Sequence, residues 1–210
     1  CDRMAKAKSE SGNSVLTLPL ITEPWQEHII ETRFAIMEHL KNALIGFELK
    51  KLRNLTRTKT YKNLQKQIAE ADEKGRKSLY KIRSQMLRDA GFSEYAFIDD
   101  MTPMQKHYVE HIGVHIAHQA VWSAFEKYLF RSGRDVHFHR RGTLESVANK
   151  EFGVHMSYRD HIFEWRGGRV PKNSHGHTSI KLSIPVTSPR NDYEREMLKK
   201  PIKYLRVVRK

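Results

Sequence analysis

Twelve histidines stand in a chain of 210 residues, and their spacing is the first feature that could do chemistry. His111, His115 and His118 recur at i, i+4 and i+7, which places them on one face if the segment is helical. His137 and His139 would share one face of a strand, and His175 and His177 flank a glycine. Neutral imidazoles four residues apart on a helix can hold zinc, but such a site brings an acid after the first histidine and a third ligand. Here Glu110 precedes His111 instead, so no metal ligand is assigned. Ser, His and acidic residues are all present, yet there is no Gly-x-Ser-x-Gly elbow, and GRDVHFHRRG at 133–142 lacks the lysine spacing of a phosphate loop. The single cysteine, Cys1, excludes an intrachain disulfide and a multi-cysteine zinc knuckle. No catalytic residue is assigned.

Charge speaks more strongly than any catalytic pattern. Lys and Arg number 38 against 24 Asp and Glu, a net charge of +14 with a pI near 9.9. The excess is concentrated in two blocks. Between Lys50 and Arg88 there are 13 basic and 3 acidic residues, and between Arg131 and Lys210 there are 18 and 8. Two separate basic blocks are what two surfaces gripping a phosphate backbone need, because each neutralised phosphate releases counterions. Tyr61, Tyr80, Phe138, Tyr158, Trp165 and Tyr204 lie among these cations, where aromatic rings can stack on bases. A membrane-surface protein would need a strongly amphipathic anchor or a long apolar span, and neither is present. No segment has the build of a signal peptide, so a cytoplasmic protein is expected.

Local patterning supplies the elements that must position these residues. Residues 1–13 are polar and read as a flexible lead-in, and Ser14 to Ile21 reads as a short strand with Pro19 at an edge or bend, the first barrel segment over 14–22. Apolar residues at three- and four-residue spacing predict one long helix over 24–55, bent near Gly46. Further helices are predicted over 59–71 and 75–90, and from Thr102-Pro103 a fourth runs to Phe130. These helices form a lobe over 23–131. Beyond Gly133 the period falls to two: VHFH at 136–139, VHMSY at 154–158, HIFEW at 161–165 and TSIKLSIPV at 178–186 read as strands. Gly167-Gly168 reads as a hairpin turn, and SPRND at 188–192 as a loop before a last strand over 202–210. The expected fold class is α+β: a small oligonucleotide-binding-like β-barrel, built from the first strand and residues 132–210, with an inserted helical lobe. Both ends read as cut from a longer protein.

The segment Ala117 to Asn149, AHQAVWSAFEKYLFRSGRDVHFHRRGTLESVAN, resembles the pattern of transposon-encoded TnpB proteins and the compact type V CRISPR effectors related to them. PWQEHI at 24–29, SEYAF at 93–97, HIFEW, IKLSIPV and KYLRVVRK at 203–210 line up in the same order, so the likeness runs from residue 14 onward. The resemblance implies a wedge barrel holding a guide RNA scaffold, with a recognition lobe that helps read a short motif beside a double-stranded DNA target. RNA contacts are expected on the basic β-module, at Arg131, Arg134, Arg140, Arg141, Arg166, Arg169, Lys203, Arg206 and Arg209, because these cations cluster on its short strands and turns. DNA contacts are expected from the helical lobe, at Lys59, Lys62 and Lys66 and, on the motif-reading helix, at His115, His118 and Gln119, whose side chains can pair with base edges.

Cleavage in such proteins comes from a RuvC-like nuclease domain, which would follow residue 210 and use Mg2+; no cofactor is expected within these residues. Two other readings stay open: a nuclease-dead relative that binds its target and represses, and a stand-alone RNA-binding adaptor.

Overall fold

The computed structural model describes residues 14–131, 133, 135–170 and 178–209, so Arg134, His175 and His177 lie outside the described residues. Its first element, α1 (Pro24–Arg57), is one helix of 34 residues. Pro24 suits the first turn, where its missing N–H costs nothing, and the Glu23 N–H donates to Gln26 Oε1 at 2.9 Å. The helix continues without a break through Gly46. Phe34, Met37, Leu40 and Leu44 bury one face of it.

Thr58 ends α1 and caps α2 (Lys59–Glu70), its hydroxyl accepting from the Tyr61 N–H at 3.2 Å. Asp72 then caps α3 (Glu73–Asp89). Tyr61, Leu64 and Ile68 of α2 are buried, and α3 packs on α2 to make a helical hairpin. Gly91, at φ +83, stops α3 in the left-handed conformation that suits glycine.

The expected fourth helix is two. Helix α4 (Glu94–Gln105) begins at Ser93, inside the SEYAF segment, and carries Pro103 in its last turn rather than its first. Proline lacks the N–H that would continue the hydrogen-bond ladder, and the chain tightens at once into a 3₁₀ turn (Lys106–Tyr108). Helix α5 (Val114–Phe130) starts only after Gly113. His111 therefore stands outside the helix that carries His115 and His118.

Two small antiparallel sheets come next. The first pairs β1 (Ser146–Asn149) with β5 (Leu205–Val208), joining Ala148 to Arg206 and Ser146 to Val208. The second orders β2 (Met156–Arg159), β3 (Ile162–Arg166) and β4 (Lys181–Pro185). Asp160 and His161, at φ 49 and 63, form the two-residue turn between β2 and β3, the left-handed pair that matches strand twist. Met156, Trp165, Leu182 and Ile184 face inward from this sheet and join α1, α4 and α5 in one hydrophobic core.

The fold class is α+β, but the barrel does not close among the described residues. No ladder joins the two sheets. The opening segment meets β4 through a single bridge, Leu20 to Val186, flanked by Ile21 N–H to Pro185 O at 2.8 Å. VHFH at 136–139 belongs to no sheet, and a short helix, α6 (Asp192–Leu198), stands just before the last strand. Gly167-Gly168 is not a hairpin tip: both glycines are buried, and the Gly168 N–H donates to Val109 O at 2.7 Å.

Candidate nucleic-acid interface

Three basic features reach solvent. On α2, Lys59, Lys62 and Lys66 lie at i, i+3 and i+7 and form one exposed stripe, because Tyr61, Leu64 and Ile68 claim the opposite face for α3. None of the three lysines is in an ion pair among the described residues. Tyr80 is exposed on the neighbouring α3, one turn from Arg76 and Lys77, so an aromatic ring stands with cations there.

The second feature is a strap, residues 135–144, which runs antiparallel along α1. Three positions of α1 spaced four residues apart hold it. Phe138 lies over Gly46; Asn42 pairs with the backbone of His139; and Glu38, buried, accepts the N–H groups of Gly142, Thr143 and Leu144 at 3.0, 3.0 and 3.2 Å. The strap turns at Arg140 to Thr143, where Gly142 takes φ +77 and the Thr143 hydroxyl donates to Arg140 O at 2.7 Å. Arg140 and Arg141 are thereby displayed on a fixed turn, exposed and free of carboxylates among the described residues. Burial, together with the charge of Lys41 and against Glu38, holds His139 below the ordinary imidazole value.

The third feature is the β1–β5 ribbon. Arg206 points outward from β5 beside exposed Tyr204, with its guanidinium 6.0 Å from the ring centroid. Lys203 is exposed just before it. Arg209, expected as an RNA contact, points the other way. Its guanidinium lies 4.8 Å from the Phe34 ring, pairs with Glu31 and donates to Gly142 O at 3.2 Å, so it ties the end of β5 to the strap. Arg141, Arg209, Glu31 and Glu38 rim a recess of about 440 Å³ between α1 and the strap.

The other expected RNA contacts differ in what binds them. Arg131 is paired with Glu126, and Arg166 and Lys181 converge on Glu164, whose carboxyl they hold below its ordinary value. Arg169 is exposed and unpaired among the described residues.

Two of the three residues expected on α5 to read DNA are buried. His118 is 1% exposed and Gln119 6%. His118 Nδ1 meets the Val114 carbonyl at 3.2 Å, and Gln119 Oε1 accepts the Lys150 N–H at 3.4 Å. The reason is geometric: α5 packs against α1, α4 and β1 at once, which leaves it little free face. His115 is half-buried, its ring centroid 5.8 Å from that of His118 and 6.1 Å from that of His155. These imidazoles line an interior seam rather than an open groove.

No group of His, Cys, Asp or Glu stands in a metal-holding arrangement among the described residues. None of the described helices is long and apolar enough to cross a membrane. Glu38 and Asn42 were missed as functional positions in sequence, although a carboxylate and an amide four residues apart beside the apolar positions of α1 are a readable signal. Polar groups at a buried helix face need partners, and the strap is the partner. No protein-family model, curated protein or solved structure matches this chain.

Proposed function

We propose that this chain grips nucleic acid as the N-terminal part of a cytoplasmic RNA-guided DNA-targeting protein, with guide RNA on the strap and ribbon and target DNA on the helical lobe. The observation that carries the reading is the pairing state of the cations. Lys59, Lys62, Lys66, Arg140, Arg141, Arg169 and Arg206 are all exposed, and none of them has a carboxylate partner among the described residues. Surface cations in proteins with no anionic partner commonly alternate with acids; here they stand in runs on rigid elements, the arrangement that suits a line of backbone phosphates. The resemblance to TnpB and compact type V effectors supplies the finer part of the proposal, the guide and the target. The reading assigns no bond-breaking step to these residues.

The test is binding of the chain to RNA and to duplex DNA as salt is varied. Arg140→Glu with Arg141→Glu should weaken RNA binding at least tenfold and flatten its salt dependence, by ~0.7 in slope for each single-strand phosphate that is no longer neutralised. Lys59→Ala, Lys62→Ala and Lys66→Ala together should do the same for DNA and spare RNA. RNA affinity unchanged in the arginine variant, or DNA affinity unchanged in the lysine variant, overturns the assignment of that surface.

A further inference from the structure

We infer that the outer face of the β1–β5 ribbon is a base-stacking platform for single-stranded nucleic acid, with Tyr204 as the ring on which a base lies. The inference rests on the function proposed above and adds the kind of strand bound and a residue to hold it.

Strand alternation fixes the face. Val147 and Val207 are buried inward, so Ser146 and Ala148 of β1 and Arg206 and Val208 of β5 share the outward side, in the register Ser146 to Val208 and Ala148 to Arg206. One step beyond the last ladder pair stand Lys150 and Tyr204, both exposed. Tyr204 is 46% exposed and Val208 53%, a large apolar surface for so short a ribbon to leave in water.

The β1 side of the face is floored by serine and alanine opposite Val208 and Arg206, and the side chain across from Tyr204 is Lys150, an exposed flexible cation that can move aside. A flat group can therefore approach the ring from above. The Arg206 guanidinium stands close enough to flank anything that stacks there. The row contains Lys150 and Arg206 and no acidic side chain.

At its far end the ribbon passes the strap through Arg209, on the side away from the row. The Arg209 N–H donates to Glu145 O at 2.8 Å and its side chain to Gly142 O, which places the Arg140–Thr143 turn beside the end of β5. From Tyr204 to Val208 is four residues of strand, about 13 Å at the usual rise. Stacking ring and cation thus share the outward face, while the arginine turn lies at the end of the ribbon on the side to which Arg209 points.

Charge complementarity chooses the occupant. An apolar protein partner would leave Arg206 and Lys150 facing it without anions, whereas a nucleic-acid strand supplies a phosphate line and a base together. The strand must be single, because a base inside a duplex keeps both faces stacked on its neighbours and cannot lie on a side-chain ring.

The experiment measures binding of the chain to a short fluorescein-labelled oligouridylate, to the same oligomer with abasic sites, and to duplex RNA. Tyr204→Ala should lose roughly tenfold or more on oligouridylate, the usual cost of removing one stacking ring, with an unchanged salt slope. Tyr204→Phe should stay within about twofold, since the ring is kept. Abasic and duplex probes should bind the wild-type chain and Tyr204→Ala alike. Arg206→Gln should lower the salt slope by ~0.7.

If the wild-type chain binds oligouridylate and Tyr204→Ala matches it, the platform is overturned while the function proposed above stands. Equal weakening on all three probes also overturns it, as a general loss of structure. If the wild-type chain binds none of the probes, both fall.

Discussion

Asn42 and His139 are paired like neighbours in a sheet, although one is on a helix: Asn42 Nδ2 donates to the His139 carbonyl and the His139 N–H donates to Asn42 Oδ1, each at 2.8 Å. The amide of one side chain thus satisfies both backbone groups of a strap residue that has no strand partner. Asn42→Ala leaves both groups to find water or go unpaired, which costs about 1–3 kcal/mol if they stay buried. The expected outcome is a lower urea midpoint with unchanged helicity, faster amide exchange at His139, and weaker RNA binding because Arg140 and Arg141 lose their fixed turn. Unchanged exchange at His139 would show that Glu38 alone holds the strap.

Gly167 is required by space. A Cβ there would lie 1.9 Å from the Glu110 carbonyl oxygen, a backbone atom that cannot swing aside. The contact is where the end of β3 passes the turn between α4 and α5, with the Ile180 N–H also donating to Glu110 O at 2.9 Å. Gly167→Ala should therefore destabilise by more than about 2 kcal/mol, as overpacking against a rigid neighbour does, whereas Gly142→Ala, with open space but φ +77, should cost only about 1 kcal/mol. Thermal unfolding of the two variants checks the order; a Gly167→Ala protein as stable as the wild type would contradict this packing.

Glu48 is buried on α1 beside Lys51, which also pairs with Asp100 of α4 at 2.7 Å. Burial, opposed by Lys51 and reinforced by Asp100, pushes its carboxyl up to about 8. A folded-state value above the unfolded one means that the native chain binds the extra proton between them. Stability should then fall as pH rises from about 4.5 to about 8, because the folded protein must increasingly hold a buried charge that the unfolded chain carries in water. Glu48→Gln should remove that part of the slope in denaturant unfolding at a series of pH values. A slope identical to the wild type's would show that Glu48 is not the titrating group.

His118 and His155 titrate in the opposite sense. Burial holds both below the ordinary imidazole value, with the charge of His115 adding to it. The Val114 carbonyl and Glu94 pull His118 back, and the Gly167 carbonyl and Glu151 pull back His155. The unfolded chain takes up these protons first, near pH 6.5, so stability is lost as pH falls below about 6.5. The double variant His118→Gln, His155→Gln should show a shallower loss of melting temperature on acidification. An equally steep loss would assign the effect to other groups.

The sequence alone established the charge in two blocks, the α1, α2 and α3 helices, and strands β2 to β4, because composition and hydrophobic period are written in residues close together along the chain. It placed α1 within two residues of its observed end, since the period of its apolar positions is unbroken and Thr58 caps the next helix. It misjudged Pro103, whose place in a last turn rather than a first depends on what the chain packs against afterwards.

Only the tertiary structure decided which polar groups face outward. Gln119 and His118 lie within a helix whose polarity suggests a free face, yet three elements close over them. Arg206 and Arg209, three residues apart at the end of the chain, fall on opposite sides, one open and one tied to Glu31 and the strap. VHFH alternates like a strand but meets Asn42 and Gly46 of α1 instead of a neighbouring strand. A local pattern states what a segment can bury or display; its partner is chosen by contacts about a hundred residues distant, such as the 97-residue separation of Asn42 and His139, and no short window of sequence contains both halves of that pair.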